Sequence, residues 1–378
     1  MKKVILITNI PNPYRVPLFN ELSSQLQEKG MTLKVIFASS GYERRYFKLD
    51  PTDFKFDYQI LEGGIHTSSS NIEKTYFLYQ GINKLLNQEK PWRIIVAGFS
   101  PATVRVFFRK LFHRTPYIIW SGSIEKENRN SGVLRKLQRK ILAQNAAGFI
   151  AYGSLAKKYL MNAGIPEDKI SIGINTVDTS FFSTTTDLER KNRPKNTALT
   201  IFTYLGYLVP RKNVLCLLEA IQLLSQKRKD FRLDIIGDGD SKSSLENFVL
   251  QNNLQDQVNF LGFKQKDELP QYFAQSTALL FQTDFDIWGL VLNEAMAAGL
   301  PCIASIHAGA SYDLIRENEN GFVMDFSHIH EVAEKMNWII DHPQEMKRMG
   351  EKAASYIEAH ASLKISAAGF IKALEKTS

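Results

Sequence analysis

Two acids, Asp286 and Glu294, stand eight residues apart in FQTDFDIWGLVLNEAMAAGLPCIAS, residues 281–305. The apolar run Ala278–Phe281 ends in a polar turn, Gln282 to Asp286. A helix is predicted from about Trp288-Gly289-Leu290, and Gly299-Leu300-Pro301 is a stop signal for it. A second apolar run, Cys302 to Ala304, follows. Strand, helix, strand predicts a parallel pair with a crossover helix. Ligands of such sheets lie at the carboxyl ends of the strands, beside helix N-termini. Asp286 stands just before the helix, next to amides that favour anions. Glu294 shares its face with Leu290, near Val291 and Ala298, where a carboxylate needs donors to accept from. Acids flanking an amide-rich helix start suit a sugar phosphate, with hydroxyls on the acids and phosphate on the amides.

Two further segments have the form of phosphate cradles. Gly206-Tyr207-Leu208-Val209-Pro210-Arg211-Lys212-Asn213 follows a predicted strand and opens a helix, placing a glycine turn and two cations together. Ile236-Gly237-Asp238-Gly239-Asp240 ends a strand, and its glycines permit a tight turn beside a ligand. A plain solvated loop and a structural turn are the bland readings of these two segments. Asp238-Gly239-Asp240 and Asp284-Phe285-Asp286 match a D-x-D metal pattern, which arises by chance in a chain of this length. His328 and His330 have no cysteine nearby, and no metal site is expected.

The run Asp-x-Trp-Gly-Leu-Val-x-x-Glu-Ala-Met-x-x-Gly-Leu-Pro resembles the E-x7-E signature of retaining glycosyltransferases of the GT-B fold, glycosyltransferase family 4 (group 1). Asp286 replaces the usual first Glu, and Glu294 is the second. Gly206 to Asn213 is similar to the family's G-R-L-x-x-x-K-G segment, which holds the donor's diphosphate. Lys212 matches its Lys, Tyr207 takes the Arg position, and Arg211 is the remaining cation. The resemblance implies a donor site of Gly206, Arg211, Lys212, Gly237, Gly239, Phe263, Asp286, Trp288, Gly289, Leu290 and Glu294. Asp286, Glu294 and Lys212 carry the catalytic work in it.

In the N-terminal half, Ile10-Pro11-Asn12-Pro13-Tyr14-Arg15 replaces the family's Gly-rich first loop and resembles a branch acting on surface polysaccharides. Arg15 at a helix N-terminus opposes the helix dipole. That points to contact with a phosphate, against the alternative of a surface salt bridge. Ser121 stands where many relatives carry a His, so Tyr14, Arg15 and Ser121 are the acceptor-side candidates. Asn175-Thr176-Val177-Asp178 resembles the family's N-G-V-D and is expected to fix a turn at the domain junction.

These residues need a scaffold, and the chain alternates strands and helices throughout. Strands are predicted at Val4–Thr8, Leu33–Ala38, Arg93–Ala97, Tyr117–Trp120, Phe149–Ala151 and Ile170–Ile174. Helices are predicted between them at Arg15–Lys29, Asn71–Asn87, Pro101–Phe112, Val133–Gln144 and Leu155–Asn162. After a polar linker at 184–198 the alternation restarts and ends in three helices. The expectation is α/β: two doubly wound Rossmann-like domains facing a cleft, at 1–183 and 199–359, with 360–378 returning to the first domain. The resemblance places the acceptor in the first domain and the nucleotide sugar in the second.

Composition narrows the class. The net charge of +8 suits acidic ligands or an anionic surface. Two cysteines in apolar patterns are expected to be reduced packing residues of a cytoplasmic protein. The opening apolar run, Val4 to Thr8, is too short for a signal peptide and reads as a buried strand. Residues 132–144, GVLRKLQRKILAQ, form a basic amphipathic helix, with Val133, Leu134, Leu137, Ile141 and Leu142 expected inward and Arg135, Lys136, Arg139 and Lys140 outward. Pro101 to Arg114 adds further cations, so peripheral contact with an anionic membrane is weighed against a merely solvated face.

The expected function is retaining transfer of a sugar from a nucleoside-diphosphate sugar to a hydroxyl of a glycan or lipid-linked oligosaccharide. No metal, other cofactor or nucleic acid is expected. The alternatives are a GT-B epimerase or phosphorylase, and a non-catalytic two-lobed sugar-binding protein.

Overall fold

A computed structural model describes residues 1–41, 50–61, 65–67, 75–125, 132–192 and 199–377. The chain forms two compact units, Met1–Val177 with Leu363–Ser378, and Asp178–Ser362.

The first unit is built on seven parallel strands: β1 (Lys2–Thr8), β2 (Met31–Phe37), β3 (Asp57–Ile60), β6 (Arg93–Ala97), β7 (Tyr117–Ser121), β8 (Gly148–Ala151) and β9 (Ile170–Ile172). A separate antiparallel hairpin joins β4 (Ile65–Thr67) to β5 (Thr75–Phe77). The sheet order is β3-β2-β1-β6-β7-β8-β9, so the winding reverses between β1 and β6. Val4, Ile5, Leu6 and Ile7 are all buried, as a central parallel strand covered on both faces requires. The helix Val16–Glu28 buries Val16, Leu18, Phe19, Leu22 and Leu26, a helical stripe. The last helix, Leu363–Lys376, packs beside it and sets Phe370 edge-on to Trp120 at 5.1 Å. Among the described residues no helix is long and apolar enough to cross a membrane.

The second unit carries β10 (Thr200–Leu205), β11 (Phe231–Ile236), β12 (Val258–Gly262), β13 (Ala278–Phe281), β14 (Cys302–Ser305) and β15 (Gly321–Met324). Its order is β12-β11-β10-β13-β14-β15, again parallel, with the reversal between β10 and β13. Cys302 is buried in β14, Cys216 is partly buried in the helix Leu215–Ser225, and both are free thiols.

Three expectations change. In place of a helix over Asn71–Asn87, the structure has the strand β5 and the helix Ile82–Glu89, while 71–74 lie outside the described residues. Thr75-Tyr76-Phe77 is β-branched and aromatic, and Gly81 at φ +76° sets the helix start. The linker expected at 184–198 is helical as far as Lys191, within Thr179–Lys191, and 193–198 lie outside the described residues. Asp178 caps that helix, accepting from the Phe181 N–H at 3.0 Å, and Phe182 and Thr186 are fully buried. In the helix Val133–Asn145 the apolar side chains expected inward are outside: Val133, Leu134, Leu137 and Ile141 are exposed, and Leu142 and Ala143 are buried.

Candidate active site

In the second unit the loops after β10 and β13 meet at the winding reversal, where doubly wound sheets bind ligands. The first loop passes through Gly206 to a short turn, Pro210–Lys212, and the second runs from Gln282 to Gly289. They are joined at several points. The Asp284 N–H donates to the Arg211 carbonyl at 3.1 Å. Arg211 Nη1 donates to the Phe285 carbonyl. Lys212 Nζ donates to Asp286 Oδ2 at 2.6 Å, and the ammonium lies 4.7 Å from the centre of the Phe281 ring.

Lys212 is buried whereas Asp286 keeps part of its carboxylate in solvent. Burial pulls the Lys212 ammonium below the usual lysine range, and the adjoining Asp286 carboxylate works against that fall. Asp286 is fixed from several sides. Its Oδ1 accepts from the Trp288 N–H at 3.2 Å, its own N–H donates to His307 O at 3.1 Å, and its carbonyl accepts from the Gly309 N–H at 3.0 Å. The carboxylate therefore faces Lys212 before any ligand arrives.

The helix Leu290–Ala297 starts at Gly289, at φ +102°. A Cβ there would lie 2.5 Å from Cε1 of Phe281, so the helix start sits directly on the ring that also floors Lys212. The N–H groups of Leu290 and Val291, in the first turn, have no partner within their own helix. Trp288 serves as an anchor for this turn: its indole is buried and donates to the buried Asn293 Oδ1 at 2.9 Å.

Glu294 projects from the same helix, half-buried. Among the described residues its carboxylate forms no hydrogen bond with another side chain. Burial pushes its acid up to about 8, with Lys266 pulling slightly the other way. A carboxyl group without internal donors, in a weakly polar setting, is ready to bond hydroxyl groups of a ligand.

The loops after β10, β11 and β12 lie backbone to backbone. The Gly206 N–H donates to Ile236 O at 3.0 Å, the Leu208 N–H to Asp238 O at 2.9 Å and the Gly237 N–H to Gly262 O at 3.0 Å. A Cβ on Gly237, at φ +152°, would come within 1.9 Å of the Gly206 carbonyl oxygen. Gly239 touches Leu208 in the same way. Phe263, just past β12, is exposed at this edge. The second unit thus gathers Gly206, Arg211, Lys212, Gly237, Gly239, Phe263, Asp286, Gly289, Leu290 and Glu294 along the carboxyl edge of one sheet.

In the first unit Arg15 precedes the helix Val16–Glu28, with its guanidinium carbon 4.4 Å from the Trp120 ring centre and 5.1 Å from that of Tyr152. Its Nη1 is buried without a hydrogen-bond partner. Among the described residues Arg15 makes no salt bridge. Ser121 is buried, its Oγ accepting from the Ser123 N–H at 3.1 Å, and Tyr14 is partly buried beside Arg15 in the chain. Gly122 lies flat against the Tyr152 ring, 2.5 Å from where a Cβ would be.

Sequence reasoning misses several supports: Phe281 as a floor, Asn293 as the anchor of Trp288, the loop 305–310 behind Asp286, and the Trp120–Tyr152 pair around Arg15. The small-residue run Ala308-Gly309-Ala310-Ser311 is a signal for the third, since close backbone packing favours small residues. Phe281 and Trp120 end apolar strands and carry no mark of a second role.

Residues 185–356 match the family described as Glycosyl transferases group 1. An uncharacterized glycosyltransferase of Haemophilus influenzae is 28% identical over 160 residues, 42% of this chain and 45% of that protein. The amylovoran biosynthesis glycosyltransferase AmsK of Erwinia amylovora is 33% identical over 122 residues, 31% of this chain and 30% of that protein. The matches thus span less than half the length of these curated relatives. The crystal structure of Anabaena HepE in complex with UDP covers 99% of this chain and 100% of its own at 17% identity, with a TM-score of 0.76. The fold is GT-B, as the sequence resemblance implied.

Proposed function

We propose that the chain, whose residues 185–356 match the family Glycosyl transferases group 1, is a retaining glycosyltransferase. Its donor is a nucleoside-diphosphate sugar, and its acceptor is a hydroxyl of a glycan or lipid-linked oligosaccharide in surface polysaccharide synthesis. The observation that carries this reading is the Lys212–Asp286 pair at the β10/β13 reversal, set beside the free amides of the helix start and a Glu294 without internal donors. Two similar proteins support it: HepE was crystallised with UDP, and AmsK belongs to amylovoran biosynthesis.

In this reading the donor's diphosphate lies against the Leu290 and Val291 amides, with Lys212 and Arg211 neutralising the leaving charge. Asp286 and Glu294 accept from ribose and sugar hydroxyls. The bond between the sugar C1 and the phosphate oxygen breaks as the acceptor oxygen bonds C1 from the same face. The acceptor's proton passes to the departing phosphate, so no side chain acts as nucleophile. Arg15, with Tyr14 and Ser121 nearby, lies on the acceptor side and meets an anionic group there. The reaction takes place at the cytoplasmic face of the membrane and uses no divalent cation.

The test is a thermal-shift screen of nucleotide sugars, then turnover with the stabilising donor, with anomeric configuration read by NMR. Retention, with turnover unchanged by EDTA, is expected. An inverted product refutes the retaining mechanism. Loss of turnover in EDTA, restored by Mn²⁺ or Mg²⁺, refutes metal independence. If no nucleotide sugar stabilises the chain, the donor class is wrong.

A further inference from the structure

The helices Pro101–His113 and Val133–Asn145 pack against one another on the first unit. Lys110 Nζ joins them, donating to the Asn145 carbonyl at 2.6 Å, and the Tyr117 hydroxyl fixes the second helix by donating to Leu142 O at 2.6 Å. The outer surface of the pair is unusual in two ways. Large apolar side chains stand in solvent: Phe112 is 82% exposed, Val133 82% and Leu134 83%, with Phe108, Leu111 and Leu137 exposed as well. The same two helices and the residue after the first carry Arg114, Arg135, Lys136 and Lys140, all exposed, and neither helix contains an acid.

Burial of an apolar face is what normally stabilises a helix of this length, and isolated helices of about a dozen residues are marginal in water. Val133–Asn145 is 13 residues long, and its buried residues are Leu142 and Ala143. Among the described residues its remaining apolar groups have no internal partner to explain them, and exposed large apolar side chains grouped among polar ones mark an interaction surface.

We propose that this two-helix face docks the protein on an anionic phospholipid surface, with Phe112, Val133 and Leu134 entering the acyl boundary and the four exposed cations meeting lipid phosphates. Charge complementarity selects this occupant. Interfacial helices combine an apolar face with lysine and arginine and no acid, which is the composition found here. A second copy of the chain would bring two such cationic helix pairs together, and like charges across an interface oppose association. The surface belongs to the first unit and the donor site to the second, so it is testable apart from the chemistry proposed above.

The test uses the full chain in co-sedimentation with phosphatidylcholine vesicles, with and without phosphatidylglycerol. Binding is expected with phosphatidylglycerol only, weakening as salt rises. Arg135→Glu with Lys136→Glu should lower partition about tenfold or more. Phe112→Ser with Leu134→Ser should lower it by a similar factor, about tenfold, because apolar burial is lost. Both variants alter exposed side chains, so unfolding midpoint and nucleoside-diphosphate binding should match the parent. Equal binding to both vesicle types overturns the proposal, as does insensitivity to the Phe112/Leu134 change. A lipid-free dimer abolished by Leu134→Glu, with no vesicle binding by the parent, would assign the face to a second copy instead. Binding to single-stranded nucleic acid but not to vesicles would equally overturn it.

Discussion

The carboxyl edges of the two sheets are built on opposite principles. In the second unit the loops pack backbone on backbone through Gly206, Gly237 and Gly239, and the buried cation, Lys212, already has an acid beside it. In the first unit the edge is lined by the aromatic rings of Trp120 and Tyr152, and the cation stacked on them, Arg15, has a buried Nη1 without an acceptor. One edge is complete before a ligand arrives. The other has an unmet donor that an anion would satisfy. Preorganised dipoles and charges suit an edge where leaving-group charge develops. An edge holding one incompletely bonded arginine suits recognition of a ground-state anion.

The largest effect is expected where the second unit's backbone contact is broken. Gly237→Ala places a Cβ against the Gly206 carbonyl at a φ that alanine avoids. The loss in stability should be about 3 kcal/mol or more, combining backbone strain with overpacking. Denaturant unfolding would show a lower midpoint, and calorimetry should detect no nucleoside-diphosphate binding. A variant that binds normally would mean that the contact between the first two loops does not shape the site.

Lys212→Ala comes next. It removes the diphosphate's cation and leaves Asp286 without its partner. Binding of free nucleoside diphosphate should weaken by roughly 1.5–3 kcal/mol, the scale of a charged hydrogen bond. Stability should fall by less than for a fully buried pair, because Asp286 is partly solvated. Calorimetry with the diphosphate is the measurement, and parent-like affinity would remove Lys212 from the site.

How far the sequence anticipates this architecture differs between the same two regions. The second unit's strands and loops are legible because Gly206, Gly237, Asp286, Gly289 and Glu294 each follow or precede an apolar run at a fixed offset. Their chemistry is local to the chain. The first unit's edge is less legible because Trp120 and Tyr152 reach Arg15 from distant segments, and nothing in their neighbouring residues marks that meeting. The helix Thr179–Lys191 is hidden by its polar composition: Asp178 caps it, and Phe182 and Thr186 make the buried contacts that hold it. The exposed apolar face of Val133–Asn145 escapes a sequence reading for a related reason. Periodicity identifies an apolar stripe but not whether the fold or an outside surface covers it.

Glu294→Gln sharpens the comparison inside the second unit. The raised acid means that the folded chain holds a proton that the unfolded chain releases between about pH 4 and about pH 8. Over that window the parent should lose stability as pH rises, because the native state binds more protons. The Gln variant should lack this slope and be the more stable protein above about pH 8, by roughly 1 kcal/mol or more. The sequence alone suggests little change in folding. Above about pH 8, where Glu294 is ionised, the variant's donor turnover should fall by roughly 1.5 kcal/mol, because the amide cannot accept hydroxyl bonds as strongly as a carboxylate. Thermal unfolding of both proteins from acid to alkaline pH is the test, and parallel curves would show that Glu294 ionises normally.

Arg15→Met carries the smallest effect and tests the other half of the comparison. Methionine keeps an apolar side chain over Trp120 but removes the unmet donor. The KM for an anionic acceptor should rise about tenfold, equivalent to about 1.4 kcal/mol, with donor affinity unchanged. Stability should be unchanged or slightly higher, because a buried N–H without a partner is unfavourable in the free protein. Arg15→Lys should behave much like Arg15→Met, since a lysine ammonium lacks the planar fork that both stacks and donates in pairs. Turnover across acceptor concentrations, with calorimetry on the diphosphate, separates the outcomes. If Arg15→Met weakens diphosphate binding as strongly as Lys212→Ala, both cations serve the donor, and the division between a prepared edge and a receptive one fails.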